Sequence, residues 1–311
     1  MKILITGING FVGSNLVKYI SKGHTIYGLD IVTPEKEGVV KTFSWDVLEL
    51  EHIPALDAII HLAGKAHDTK NNTLREDYFS INTCLTQKIY DYFIEKNIGK
   101  FVFFSTVKSA SDRVVGEFLT EDVVPKPVGP YGESKIAAEN YLLAHPARDN
   151  QKVYIFRPCM IHGPGNKGNL NLLYQVVRKG FPWPLGVFEN RRSFASVDNV
   201  CFVVEKLLAS TVESGIYHMA DDEALSTNEL INVMCETLGK KAWIWYIPKK
   251  VMVAAAKMGG LLHLPLNPER LQKLTENYVV SNKKLKNALG IEKMPMTARE
   301  GIKKTIQSFE N

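Results

Sequence analysis

At 311 residues, 45% hydrophobic and 23% charged, the chain has the make-up of a folded globular protein with room for a large core or two lobes, which excludes disorder as its main state. Its net charge of +5, from 38 basic and 33 acidic residues, is scattered rather than striped and comes with no recognition motif, so a nucleic-acid partner is excluded as well. Four cysteines, Cys84, Cys159, Cys201 and Cys235, stand singly without CxxC spacing; this argues against a metal site or a disulfide framework and for reduced thiols in a cytoplasmic protein.

The first residues, Met1-Lys-Ile-Leu-Ile-Thr-Gly, read as a strand running straight into a glycine turn. They lack the apolar core and small-residue cleavage site of a signal peptide, so the mature protein is expected to start at Met1. Strand-length apolar runs follow at 2–5, 24–29, 58–62, 101–104 and 153–156, alternating with helical patterns at 9–21, about 73–96 and 131–143. This alternation predicts βαβ units, and hence an α/β fold with a doubly wound parallel sheet of the Rossmann type. The helix at 73–96 carries Tyr78, Ile81, Leu85, Ile89, Tyr92 and Phe93 at spacings of three and four, a stripe suited to burial or to a subunit interface.

Beyond Arg157 the glycines and prolines thicken, at Gly163-Pro164-Gly165 and from Pro182 to Gly186, which predicts loops reaching out of the sheet. Further helices are expected at 199–209, 227–238 and 297–309. The apolar run 251–264 is interrupted by Lys257, Gly259, Gly260 and His263 and is shorter than the roughly 20 residues a bilayer requires. It reads as a buried or interface helix in preference to one in peripheral contact with a membrane. The lysine-rich end, Lys283, Lys284, Lys286, Lys303 and Lys304, reads as solvated surface.

Two stretches carry chemistry. Thr6-Gly7-Ile8-Asn9-Gly10-Phe11-Val12-Gly13 follows the first strand and opens a helix, with glycines three apart that let the backbone turn tightly and approach a pyrophosphate at the positive helix end. Structural turns use glycine too, so the context matters. Asp30 supplies it: it ends the second strand 17 residues after Gly13, where a carboxylate binds an adenosine ribose and repels a 2′-phosphate, pointing to NAD rather than NADP. The plain alternative for Asp30 is a turn cap. Asp46, in Trp45-Asp46-Val47, is a candidate contact to adenine.

The second stretch, Tyr131-Gly-Glu-Ser-Lys135, sets a phenol and an ammonium on one helix face. A phenol titrates near 10, and an adjacent positive charge is expected to stabilise its phenolate and lower that value, so that the tyrosine can move a proton either way. The same spacing occurs on many solvated helix faces. Its weight comes from the residues around it.

Together these residues resemble the extended short-chain dehydrogenase/reductase family, in particular its NAD-dependent nucleotide-sugar epimerases and dehydratases, over essentially the whole chain. The resemblance implies a NAD-binding Rossmann domain over 1–160 and a smaller mixed α/β, mainly substrate-binding lobe over 161–311, with some segments returning to the first domain. It implies cofactor contacts from Gly7, Gly10, Phe11, Val12, Gly13, Asp30 and Asp46. Leu62, Ala63 and Gly64 in His61-Leu-Ala-Gly64 match the cofactor-facing loop, and Asn82 and Pro158 join the set. Tyr131 and Lys135 match the catalytic pair, with Lys135 also holding the nicotinamide ribose. The catalytic Ser or Thr is Thr106 by strand register, with Ser105 as the alternative.

On the substrate side, Asn169 is implied to meet the nucleotide or its diphosphate. Arg192, in Asn190-Arg191-Arg192-Ser193, is implied to grip phosphates with a planar guanidinium fork. A surface salt bridge is the plain alternative for Arg191 and Arg192. Two departures narrow the reading. Val107-Lys108 follow Thr106 where 4,6-dehydratases carry an Asp-Glu pair, which disfavours elimination, and Met160 stands where the family commonly has an asparagine. Ser105-Thr-Val-Lys108 with Asn-Arg-Arg-Ser is closest to a branch acting on UDP-N-acetylhexosamine derivatives in bacterial surface-polysaccharide synthesis, which makes Lys108 a candidate substrate contact. The implied reaction is epimerisation at C4 of a UDP-sugar through a 4-keto sugar. NAD(P)H-dependent reduction of a UDP-4-keto-6-deoxy-HexNAc uses the same residues, and a non-catalytic nucleotide-binding scaffold is the third reading, opposed by the retention of Thr106, Tyr131 and Lys135 together. The family often forms homodimers, and one is expected here.

Overall fold

Ile3, Leu4 and Ile5 have no solvent exposure, so the strand that carries them, β1 (Lys2–Thr6), is covered on both faces and paired on both sides. The computed structural model describes residues 1–46, 52–65, 74–166, 168–262 and 266–310, and among them the side chain of Asn169 lies outside the described set. Strand β1 pairs with β2 (Thr25–Leu29) and β4 (Ala58–His61). Strand β3 (Lys41–Phe43) lies beyond β2, while β5 (Lys100–Phe104), β6 (Lys152–Pro158) and β9 (Gly215–Met219) continue from β4. Every pairing is parallel, and the order is β3-β2-β1-β4-β5-β6-β9. A separate parallel pair, β7 (Met160–His162) and β8 (Phe194–Ser196), extends beyond the sheet.

The alternation of side chains along the strands sorts the core into two layers. On one face Ile3, Ile5, Ile60, Val102 and Phe156 meet Leu16 and Val17 of α1 (Phe11–Ile20) and Val200 and Val204 of α7 (Val197–Ala209). On the other, Leu4, Ile59, Phe101, Phe103 and Ile155 meet Ile89 and Phe93 of α3 (Leu85–Glu95) and Ala138 and Leu142 of α5 (Pro130–Ala144). This is the expected doubly wound α/β sheet. A second core joins α6 (Asn169–Arg178), α8 (Thr227–Thr237) and α12 (Ala298–Gln307) through Tyr174, Ile231, Met234 and Ile302.

Several elements depart from the sequence pattern. Strands β3 and β9 and helix α6 were not predicted: β3 is three residues long, α6 follows directly on a glycine-rich loop, and β9 is an edge strand paired along β6 alone. The helix over 73–96 is α2 (Arg75–Tyr78) and α3 joined by a π-helical segment, Phe79–Cys84. A π segment rotates the face that follows it. The buried set therefore becomes Tyr78, Asn82, Thr83, Thr86, Ile89, Tyr90 and Phe93, while Ile81, Leu85 and Tyr92 keep partial exposure.

The lysine-rich end is not simply solvated. Lys286 pairs with Asp222 at 2.8 Å and Lys304 with Asp198 at 2.6 Å, and Lys284 lies over the Tyr217 ring. The apolar run near the end folds as α9 (Lys249–Leu261) and is mostly exposed rather than buried, because it rests on the lobe through only Met252, Ala256 and Gly259. Among the described residues no helix is long and apolar enough to cross a membrane. Helices α4 (Val107–Ala110), α10 (Pro268–Thr275) and α11 (Lys283–Leu289) complete the set.

Gly28 links the sheet to what it carries. A Cβ there would lie 2.8 Å from both Ile8 Cγ2 and Thr42 Oγ1, so the bare strand position is what lets the glycine loop settle onto β2. Replacing Gly28 with Val is expected to lower the free energy of unfolding by about 1–3 kcal/mol, read from the shift of the urea midpoint.

Candidate active site

The chain leaves β1 toward β2 and β3 on one side and passes to β4, β5 and β6 on the other, so a crevice opens at the carboxyl ends of β1 and β4. The predicted residues gather there. Gly7 has φ +67, and a Cβ on it would sit 2.9 Å from the Ala63 backbone; a Cβ on Gly13 would sit 2.6 Å from the Gly7 carbonyl oxygen. The first-strand loop and the Leu62-Ala63-Gly64 loop thus touch through backbone alone. Gly10 caps α1 with no side-chain hydrogen bond, which leaves the first-turn amides at Phe11, Val12 and Gly13 to an anionic ligand. The donor set and the cradle fit a dinucleotide pyrophosphate.

Asp30 accepts from the Asn9 amide at 2.9 Å and the Ile31 amide at 2.7 Å. It therefore holds the glycine loop as a cap would, with lone pairs left over on its two oxygens. Lys36, which carried no signal in the sequence between Glu35 and Glu37, donates to the Ile8 carbonyl and the Ser14 hydroxyl at 2.8 Å each. Asp46 is exposed in the turn after β3.

Beneath the β4 loop lies a buried chain of hydrogen bonds whose direction can be deduced. Thr86 spends its one proton on the Asn82 carbonyl at 2.8 Å, so it must accept from His61 Nε2 at 2.9 Å. His61 Nδ1 then accepts from the Thr6 hydroxyl at 2.7 Å, which leaves Thr6 Oγ1 to accept from the Ala63 amide at 3.0 Å. Burial, with the Lys135 charge adding to it, keeps this imidazole neutral by pulling its pKa well below the usual value. Asn82 has no exposure and accepts from the Lys65 amide at 2.8 Å, while its own amide donates to the Lys65 carbonyl and the Ser134 hydroxyl at 3.1 Å each. It shapes the loop and fixes it to α5.

The catalytic candidates meet where β5 ends. Ser105 donates to Glu139, turned inward, so its hydroxyl is already committed. Thr106 caps α4, accepts from the Lys108 amide at 3.2 Å and hydrogen-bonds the Tyr131 hydroxyl. Of the two hydroxyls, Thr106 is the one beside Tyr131. Tyr78 stands edge-on to the Tyr131 ring, with centroids 6.3 Å apart. Lys135 is 5% exposed; its ammonium donates to the Phe104 carbonyl at 2.9 Å and lies 4.9 Å from the Phe103 ring centroid.

The electrostatics reverse one expectation. Burial raises the Tyr131 pKa, Tyr78 adds to the rise, and the Thr106 hydrogen bond is what opposes it. The adjacent lysine does not lower it, because the ammonium is turned to a carbonyl and burial brings Lys135 itself down to about 8, against the pull of Glu139. Glu139 has no exposure and receives hydrogen bonds from Ser105, from Ser109 at 2.6 Å and from Arg157, whose Nε is 3.0 Å from each carboxylate oxygen. Sequence reading missed Glu139, although it lies four residues beyond Lys135 on the same helix.

Two of the substrate-side candidates, Lys108 and Arg192, lie beside Tyr278. Lys108 Nζ is 4.3 Å from the Tyr278 centroid and pairs with Asp112 at 3.0 Å. Arg192 pairs with Glu276 at 3.8 Å; burial lowers its pKa and Glu276 offsets this. Tyr278 donates to the Ser111 carbonyl at 2.6 Å, and its backbone amide bonds the Arg191 carbonyl at 2.8 Å. No motif pointed to Glu276 or Tyr278. Gly132 makes the junction possible, since a Cβ there would lie 2.7 Å from the Lys108 carbonyl oxygen. Arg191 reaches the Ala224 carbonyl at 3.0 Å, away from its neighbour's partners. Pro158 is buried at the end of β6, partly exposed Phe11 packs beneath Gly163 and Gly165, and the side chain of Asn169, at the start of α6, lies outside the described residues. Among the described residues no three His, Cys, Asp or Glu side chains are grouped to hold a metal.

Two outcomes follow from these burials. In nucleotide-free protein the Lys135 amine is expected to titrate near 8 by ¹⁵N NMR of labelled lysine; a signal still protonated at pH 10 would contradict this. Between about 8 and the ordinary lysine value near 10.4 the unfolded chain holds a proton that the folded chain has released. The free energy of unfolding therefore rises with pH across that window, and the Lys135 penalty is fully present below it. Separately, Glu139→Leu leaves the Arg157 guanidinium buried without a counter-charge and is expected to cost about 3–5 kcal/mol in denaturant unfolding, whereas the double variant with Arg157→Met recovers much of the loss.

Residues 3–220 match the NAD dependent epimerase/dehydratase family. UDP-glucose 4-epimerase of Vibrio cholerae is 30% identical over 323 aligned residues, which cover 99% of this chain and 95% of that one. Among solved structures, UDP-N-acetylglucosamine 4-epimerase from Bacillus cereus superposes with a TM-score of 0.79 at 21% identity over 100% of both chains. MoeE5 in complex with UDP-glucuronic acid and NAD superposes with a TM-score of 0.77 at 22% identity, over 100% of this chain and 99% of that one. These two share the fold described above. With its Rossmann sheet, glycine loop and Tyr131–Lys135 pair, the chain belongs to the NAD dependent epimerase/dehydratase family.

Proposed function

We propose that this protein is a NAD-dependent UDP-sugar 4-epimerase, acting on a UDP-hexose or UDP-N-acetylhexosamine in the synthesis of surface-polysaccharide precursors. The observation that carries the reading is the Thr106–Tyr131 hydrogen bond with Lys135 one turn along α5, set beside a basic pair, Lys108 and Arg192, suited to a diphosphate. The Vibrio cholerae relative is named for the same reaction, and MoeE5 holds a UDP-sugar with NAD on the same fold.

In this reading the glycine loop and the α1 amides hold the pyrophosphate, Asp30 the adenosine ribose and Asp46 the adenine, while Leu62, Ala63, Gly64 and Pro158 line the cleft and Asn82 keeps it in shape. Lys135 serves the nicotinamide ribose. Bound there, NAD would supply a reversible hydride acceptor for C4. Tyr131, bonded to Thr106, takes the C4 hydroxyl proton and later restores it. Because burial keeps the free phenol protonated at neutral pH, proton removal needs more positive charge near Tyr131 than the free protein supplies, where the Lys135 ammonium is turned to the Phe104 carbonyl. Arg192, Lys108 and Asn169 hold the nucleotide diphosphate. Residues 1–160, with β9 and α7, form the cofactor-binding part, the rest forms the substrate lobe, and the partly exposed Ile81, Leu85 and Tyr92 suit a homodimer contact.

A second reading has its own observation. A phenol held protonated is the state required to donate to a carbonyl, which suits reduction of a UDP-4-keto-6-deoxy-HexNAc. Purified protein incubated with UDP-Glc, UDP-GlcNAc and a UDP-4-keto-6-deoxy sugar separates the two. C4 inversion without added nucleotide supports the epimerase; oxidation of one NAD(P)H per sugar supports the reductase; turnover of none of the three sinks both. In either case Tyr131→Phe is expected to lower kcat by about 10²–10⁴ while NAD binding, followed by calorimetry, is unchanged.

A further inference from the structure

Helix α9 presents an apolar face to solvent. It buries Met252, Ala256 and Gly259, the first two against Leu185 and Leu271. On its other side Val251, Met258 and Leu261 are 54%, 62% and 80% exposed, and Leu262 follows at 64%. Positions 251, 254, 258 and 261 recur at steps of three and four, so Val251, Ala254, Met258 and Leu261 make one stripe along the helix. On a helix that merely covers a core, that stripe is polar.

The surroundings of the stripe indicate what covers it. Lys250 and Lys257 are exposed, lie on the same outer half of the helix and pair with no carboxylate among the described residues; α9 itself contains no acidic residue. Trp243, Trp245 and Tyr246, exposed by 61%, 53% and 68%, lead directly into it. Aliphatic side chains bordered by lysines, with exposed amphipathic aromatic rings in the segment that precedes the helix, match the groups that a bilayer surface takes up: acyl boundary, headgroups, anionic charge. A second copy of this chain is a poorer occupant, since face-to-face pairing would set lysine against lysine with no acid on the helix to compensate.

We propose that α9 is an in-plane docking helix for an anionic lipid surface. Its position gives the contact a purpose. Helix α10, about 12 Å long at eight residues, runs from this region to Glu276, which pairs with Arg192, so docking holds the substrate side of the cleft next to the membrane.

The test is flotation of the full chain with vesicles of phosphatidylcholine alone or mixed with phosphatidylglycerol. Binding to the mixed vesicles is expected to exceed that to the neutral ones by roughly tenfold or more, to fall with added salt, and to shift tryptophan fluorescence to the blue. The double variant Met258→Glu/Leu261→Glu should lose flotation while keeping its circular dichroism and thermal midpoint, and Lys250→Glu/Lys257→Glu should lose roughly tenfold in binding to the mixed vesicles. Wild-type protein that stays unbound with anionic vesicles, or a Glu variant that floats equally well, overturns the proposal. So does a lipid-free dimer, seen by light scattering, that the Met258→Glu/Leu261→Glu variant dissociates while neither protein binds vesicles; that result assigns the face to a second copy.

Discussion

The candidate site of this protein is built around one buried ion pair, Glu139 with Arg157. Glu139 is enclosed at the middle of α5 and bonded at once to the end of β5 through Ser105, to α4 through Ser109 and to β6 through Arg157. A carboxylate and a guanidinium taken out of water are tolerable only when paired and hydrogen-bonded to this extent, and the requirement leaves the three elements almost no freedom to slide. Thr106 follows Ser105, and Tyr131 and Lys135 precede Glu139 by two turns and one. The relative placement of Thr106, Tyr131 and Lys135 is therefore set from below, by the buried Glu139 contacts.

The cofactor cleft obeys a second constraint of the same kind. Two loops approach through backbone at Gly7 and Ala63, closer than a side chain would permit, and the polar groups sealed beneath them are satisfied in one consistent direction from Ala63 through Thr6, His61 and Thr86 to Asn82. A neutral imidazole in the middle of that chain keeps the direction fixed. Asn82 reaches this network because the π-helical segment turns it inward, so a local irregularity of the helix positions a loop more than a dozen residues away.

The outer lobe works differently. Its contribution to the cleft is Arg192, Glu276 and Tyr278, which meet Lys108 of α4 to form a cluster of charge and aromatic surface assembled from three distant stretches of chain. Glu276 partly neutralises Arg192 and holds the guanidinium in place. The same lobe carries α9, where an apolar stripe faces outward. A sheet-centred core and a peripheral surface feature are thus joined through α10 in a single short path.

Local signals were enough for much of this. Continuous apolar strands can only be central in a parallel sheet, glycines three apart after a strand can only turn tightly, and residues four apart share a helix face; the Rossmann sheet, the glycine loop with Asp30 and the Tyr131–Lys135 pair were legible for those reasons. What depends on contacts between distant residues was not. Whether Ser105 or Thr106 faces the cleft was decided by Glu139, the π segment altered which residues of 73–96 are buried, and β3, at three residues, was too short for its periodicity to show. The direction of the Tyr131 shift came out opposite to the reading from its neighbour's charge, because desolvation is a property of the packed environment and Lys135 has a carbonyl to satisfy. The sequence by itself determined which chemical groups are present and how neighbours along the chain are spaced; only the tertiary structure decided which of them are dry, paired or facing outward, since burial and partnership arise where segments far apart in sequence meet.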